Sequence, residues 1–180
     1  PPGGLIAALI QAPENADVAL TGSISGTLTD FTGGMRLTFA NQPATMIDIR
    51  RKGDAAHVTA SVAADIWPLM DPIAKRTGGS VALEGSANLA DVARTPFTAR
   101  LTAPAGVIDL SGLADLAEMR LIDDVGLEAR GLDLAFVAPP LKGKVDAAGK
   151  ARPVGLTDFV WEGQATATGL EYPSGAIVRV

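Results

Sequence analysis

Cysteine is absent from this 180-residue chain. Its absence removes disulfide staples, thiolate zinc sites and cysteine nucleophiles together, and it leaves the compartment open. There is one histidine, His57, so sites built from several histidines are excluded as well. Positive charge is scarce: 15 Lys plus Arg stand against 20 Asp plus Glu, a formal net charge of −5. A nucleic-acid partner needs a basic face to neutralise phosphates, and this balance argues against one. Aromatic residues supply only 4% of the chain, and the interleaved aromatic and basic residues of a single-strand stacking platform do not occur. Long apolar runs are missing too. The longest, Leu5-Ile6-Ala7-Ala8-Leu9-Ile10, falls far short of the roughly 20 residues of a membrane-spanning helix. No basic start precedes it, as a signal peptide would require. The chain opens on Pro1-Pro2 rather than Met, which reads as a segment of a longer polypeptide whose anchor or address lies elsewhere.

What is present is aliphatic surface. Hydrophobic residues make up 47% and charged residues 19%, with a mean hydropathy of +0.25. They alternate with polar residues at period two, the mark of strands with one apolar face. Over residues 18–28, Val18, Leu20, Gly22, Ile24, Gly26 and Leu28 alternate with Ala19, Thr21, Ser23, Ser25 and Thr27. Gly33-Gly34 reads as turn chemistry before Met35, Leu37 and Phe39. Asn41-Gln42-Pro43 punctuates, Ile47 and Ile49 share a face, and Lys52-Gly53-Asp54 closes a hairpin into Val58, Ala60 and Val62. Four strands joined by short turns predict an antiparallel meander. The alternation lapses over 65–76, where Asp65 can cap a start and Pro72 limits length. One or two helical turns are expected there, plugging one end of the sheet. Alternation resumes with Val81, Leu83, Gly85, Ala87 and Leu89, then Phe97, Ala99 and Leu101, then Gly106, Ile108, Leu110 and Gly112. Further strands are expected over 116–122 (with helix over 113–119 ranked second), 126–130, 132–137, 143–147, 159–167 and 176–180.

The chemistry of an active site does not assemble. His57 falls on the polar face of a strand pattern, away from any Ser-His-Asp arrangement. Asp123-Asp124 and Asp71 read as solvated turn carboxylates. Gly78-Gly79 leads into a strand rather than opening a helix, so it is no phosphate loop. No calcium-loop spacing occurs, and Arg50-Arg51-Lys52 reads as a solvated hairpin tip. No catalytic residue, metal ligand or cofactor set is assigned, and the expected function is non-enzymatic.

A weak repeat runs through the strands: large apolar, polar, glycine, variable, apolar. Its instances are Leu20-Thr21-Gly22-Ser23-Ile24, Leu83-Glu84-Gly85-Ser86-Ala87, Leu110-Ser111-Gly112-Leu113-Ala114, Leu141-Lys142-Gly143-Lys144-Val145 and Trp161-Glu162-Gly163-Gln164-Ala165. With these strands, and with the junction Asp65-Ile66-Trp67-Pro68-Leu69-Met70 followed by Gly78-Gly79-Ser80-Val81, the chain resembles the periplasmic β-rich region of the TamB/AsmA-like family of bacterial envelope proteins. The resemblance implies an all-β fold, a curved, open trough with an apolar interior, within a protein anchored in the inner membrane of a Gram-negative bacterium. It implies conduction of phospholipid acyl chains toward the outer membrane, or assistance to assembly of outer-membrane β-barrel proteins.

The pattern itself asks what hides the aliphatic face, since a meander with one apolar side must cover it by closure, a second sheet or a ligand. The expected groove lining is Val18, Leu20, Ile24, Leu28, Met35, Leu37, Phe39, Ile47, Ile49, Val58, Val62, Val81 and Leu83. The chain is expected to be a single β-rich segment over 1–180, continued at both edges by the rest of its polypeptide. Two other readings stay open: a scaffold that pairs its sheet edge with unfolded barrel strands, and a filled β-sandwich without ligand.

Overall fold

The structure is a computed structural model that describes residues 18–39, 42–64, 77–137, 141–153 and 159–171. The expected four-strand meander opens it: β1 (Val18–Thr27), β2 (Asp30–Phe39), β3 (Gln42–Lys52) and β4 (Ala55–Ala63). Two-residue turns join β1 to β2 and β3 to β4: the first is Leu28-Thr29 rather than the expected Gly33-Gly34, which pairs with Ile24 and Ser23 inside β2, and in the second Gly53 supplies the required positive φ of 59°. Then follow β5 (Ser80–Asn88), β6 (Thr95–Ala103), β7 (Gly106–Asp115), the short β8 (Arg120–Leu121), β9 (Val125–Asp133), one helical turn α1 (Leu134–Val137), β10 (Lys142–Pro153) and β11 (Phe159–Glu171). All strands join one antiparallel sheet in the order β1-β2-β3-β4-β5-β6-β7-β9-β10-β11, with β8 pairing β7 to the side. The fold is all-β and unclosed, an open trough. The second sheet of a sandwich is absent among the described residues.

Two expected strands are corrected. Over 116–122 only Arg120 and Leu121 pair, because the Asp115 carboxylate accepts the Ala117 and Glu118 amides, each at 3.1 Å, and turns the chain. Met119 completes that turn at a φ of 52°. Over 132–137 the strand ends at Asp133, whose Oδ1 accepts the Ala135 amide at 2.9 Å and starts α1. The stretches 143–147 and 159–167 are parts of longer strands, β10 and β11. The expected helical junction 65–76 and the strand 176–180 lie outside the described residues.

The sheet has little solid centre. Buried hydrophobic residues are few and mostly small: Phe39, Ala44, Ala64, Ala105, Val125, Ala129 and Leu132. Thr95 is the largest fully enclosed side chain among the described residues, its hydroxyl donating to Asp91 O at 3.1 Å. Ladder hydrogen bonding, rather than layered packing, therefore carries much of the order.

Candidate apolar groove

Strand register decides which side chains share a face, since partners across a ladder point the same way. Starting from Met35, the cross-strand partners run from Gly22 through Met35, Ile47, Ala60 and Leu83. The same row continues through Leu101, Ile108, Ala129 and Ala147 to Ala165. A parallel row two residues away runs from Ile24 through Gly33, Ile49, Val58 and Gly85, then Ala99, Leu110, Leu127 and Gly149 to Gly163. Neither row contains a polar side chain. Ten strands at about 4.8 Å spacing make each row about 43 Å long, longer than the roughly 30 Å hydrocarbon core of a bilayer.

Of the expected lining, Val18, Leu20 and Ile24 on β1, Met35, Leu37 and Phe39 on β2, Ile47 and Ile49 on β3, Val58 and Val62 on β4, and Val81 and Leu83 on β5 all lie on this face. Leu28 does not sit on a strand. It occupies the β1–β2 turn and is 88% exposed. The face also remains open: Leu20, Ile24, Met35, Ile49 and Leu83 all stand among the exposed large hydrophobics. The half of the face on β6 to β11, including Leu101, Ile108 and Leu127, was not among the expected lining, although its alternation was visible. Arg51, expected at a solvated tip, pairs with Phe31 and Ala56 on the apolar side, and its Nε donates to Gly53 O at 2.9 Å.

Toward β11 the face changes character. Ala147, Gly149 and Ala151 face Ala165, Gly163 and Trp161, so it is paved with small residues and one indole. A Cβ on Gly149 would lie 2.7 Å from both Gly163 Cα and Trp161 Nε1. The indole thus lies directly over the paired glycines, which leave room for it.

The opposite face carries the charge. Glu84, Arg100, Asp109 and Glu128 are successive cross-strand partners. Arg100 Nε donates to Asp109 Oδ1 at 2.6 Å, and Arg130 Nη2 donates to Asp109 Oδ2. The Arg100 hydrogen bond holds the Asp109 carboxyl below the usual carboxylate range against the opposing effect of desolvation, with Arg130 adding to it. The Arg152 hydrogen bonds, at 2.7 and 3.1 Å, do the same for Asp124. His57 stands on this side with its Nε2 3.8 Å from Glu84 Oε1. A depression of about 550 Å³ opens here, lined in part by His57, Glu84, Arg100, Asp109 and Glu128. Three smaller depressions, of about 330–350 Å³, open on this same polar side, lined among others by Arg36, Met46, Asp48 and Thr59, so the apolar face is the less indented of the two. In the largest of these depressions Arg100 and Arg130 offset two of the three carboxylates Glu84, Asp109 and Glu128.

Among the described residues no cluster of His, Asp or Glu could hold a metal ion. No helix among them is long and apolar enough to cross a membrane. No family model matches the chain, and neither a curated protein nor a solved structure does.

Proposed function

We propose that the apolar face shelters and conducts phospholipid acyl chains, as a non-enzymatic periplasmic segment of an inner-membrane-anchored protein serving outer-membrane biogenesis. The supporting observation is the pair of apolar rows that cross all ten strands of the path, with Ile24, Met35, Ile49 and Leu83 of the β1–β5 half exposed. Each CH₂ moved from water into such surroundings contributes about 0.8 kcal/mol, so a sixteen-carbon tail gains on the order of 10 kcal/mol. Conduction needs shelter that is uniform, so that a tail can slide without meeting a deep trap. Val, Leu, Ile and Ala side chains without hydrogen-bonding groups suit that need better than a shaped aromatic pocket. The repeat of Leu-x-Gly strands and its likeness to the TamB/AsmA-like family point the same way.

A photoreactive side chain placed singly along β6 and β7 tests this in cells. Positions 101 and 108 lie on the apolar face, and positions 102 and 109 on the other. Crosslinks to phospholipid are expected from the first pair only; equal labelling from both would sink the proposal. Strands β1 and β11, outermost among the described residues, favour one second reading, addition of unfolded barrel strands to the sheet. It expects crosslinks from β11 to outer-membrane proteins and none to lipid.

A further inference from the structure

Charge enters the apolar face at one place. Gly26, Phe31, Arg51, Ala56 and Ala87 are successive cross-strand partners at the end of the sheet that carries the β3–β4 hairpin. Among the described strand residues, Arg51 is the single charged side chain on that face. A guanidinium on an aliphatic face gives up hydration and finds no polar neighbour in exchange. The Arg51 Nε donates to Gly53 O at 2.9 Å, and the side chain makes no ion pair among the described residues. That leaves the four N–H donors of its two Nη groups for another acceptor. Ala56 and Ala87, next in the row, are too short to cover them.

The two ends of the strands differ in burial. Five of the seven buried hydrophobic residues, Phe39, Ala44, Ala64, Ala105 and Leu132, stand at the ends away from that hairpin. Near the hairpin end, by contrast, Ile24 and Leu28 are exposed. A ligand lying along the strands thus meets one enclosed end and one open end, and Arg51 stands at the open one. From Arg51 the face passes Ile49 and Ile47 to Thr45, a run of about 20 Å at about 3.4 Å per residue. One acyl tail spans half of the roughly 30 Å hydrocarbon core of a bilayer, about 15 Å. A tail whose head is held at Arg51 therefore fits within this run.

We infer that Arg51 binds the phosphate of a lipid at the β3–β4 rim, with the tail laid along the strands toward Thr45 and Val62. The inference rests on the acyl-chain reading and adds to it the headgroup chemistry and the orientation. Guanidinium and phosphate match as a planar, two-pronged pair. Arg51 is only half-buried, so the pair is weak. It favours phospholipid over uncharged lipid without trapping either.

Two probes with the same tail test this: palmitoyl lysophosphatidic acid, and monopalmitoylglycerol, which lacks the phosphate. Each is titrated by calorimetry into the 180-residue chain purified without detergent. Wild type is expected to bind the phosphate ester about fivefold to tenfold more tightly. Arg51→Gln should abolish that preference and leave both the monopalmitoylglycerol affinity and the circular dichroism spectrum unchanged. Arg50→Gln, the same charge change on the polar face, should keep the preference, and Arg51→Lys should keep part of it. Inorganic phosphate at the probe's own concentration should not compete, since it brings no tail. A photoreactive group at the methyl end of the tail should label positions 45 and 62 rather than the Gly53 tip. Equal affinities in wild type, a preference that survives Arg51→Gln, competition by inorganic phosphate, or labelling of the tip would each overturn the inference while acyl-chain binding stands. If neither probe binds, the acyl-chain reading falls and this inference falls with it.

Discussion

Adjacent residues on opposite faces offer a controlled comparison at the centre of the sheet. Leu83 lies in the row between Ala60 and Leu101, while Ala82, one residue earlier, is exposed on the polar side. Leu83→Asp and Ala82→Asp make the same charge change a few ångströms apart. Leu83 is 37% exposed, and full burial of a leucine contributes about 1.5–3 kcal/mol, so its loss should cost about 1–2 kcal/mol of stability. That is tolerable for a domain with ordinary reserves. The effect on acyl-chain binding is larger. A carboxylate keeps its water, so about four CH₂ groups lose their shelter, about 3 kcal/mol at roughly 0.8 each, or about a hundredfold in affinity. Titration of the purified variants with a fluorescent fatty acid, alongside urea unfolding, measures both quantities. Binding by Leu83→Asp equal to that of Ala82→Asp would refute the reasoning, because the charge would then have been placed on a face that carries nothing.

Further outcomes follow from the paired charges, the glycine floor and the indole. Because Arg100 lowers the folded-state pKa of Asp109, that stabilisation is fully present above the unfolded carboxylate value, about 3.9, and is lost as pH falls through the lower folded value. The Tm difference between wild type and Asp109→Asn, measured by circular dichroism, should therefore be constant from neutral pH down to about 5 and shrink toward pH 2. Gly149→Ala drives a Cβ to 2.7 Å from Gly163 Cα, an overpacking that should cost about 1–3 kcal/mol in urea unfolding. Trp161 is 38% exposed on the apolar face; with Trp67→Phe leaving it as the sole tryptophan, its fluorescence should be quenched by lipids brominated on the acyl chain and not by headgroup-linked quenchers.

The first five strands were legible because large aliphatics alternate there with Thr, Ser and Arg, although of the turns only Gly53-Asp54 was announced by its glycine. In β10 the same period is written in Ala and Gly against Lys and Asp, whose contrast is weak, and only 143–147 of Lys142–Pro153 stood out. The turn after β7 was hidden for another reason. Leu116 and Met119 look like strand residues, but the Asp115 side chain captures two amides and ends the pairing. The register shifts between Leu37 and Thr38 and between Val145 and Ala147 leave no mark in composition. The Arg100–Asp109 pair, by contrast, was within reach: the two residues are equidistant from the Pro104-Ala105 turn, and hairpin symmetry places them opposite each other. For the groove, the apolar face was readable, while its extent across the later strands needed the order of the whole sheet.

The most direct test is mass spectrometry of lipid extracts from protein purified without detergent. An open aliphatic face that carries acyl chains should retain phospholipid, which Leu83→Asp loses and Ala82→Asp keeps. A folded wild-type protein that emerges free of lipid, and takes none up from phospholipid vesicles, would contradict the proposed function.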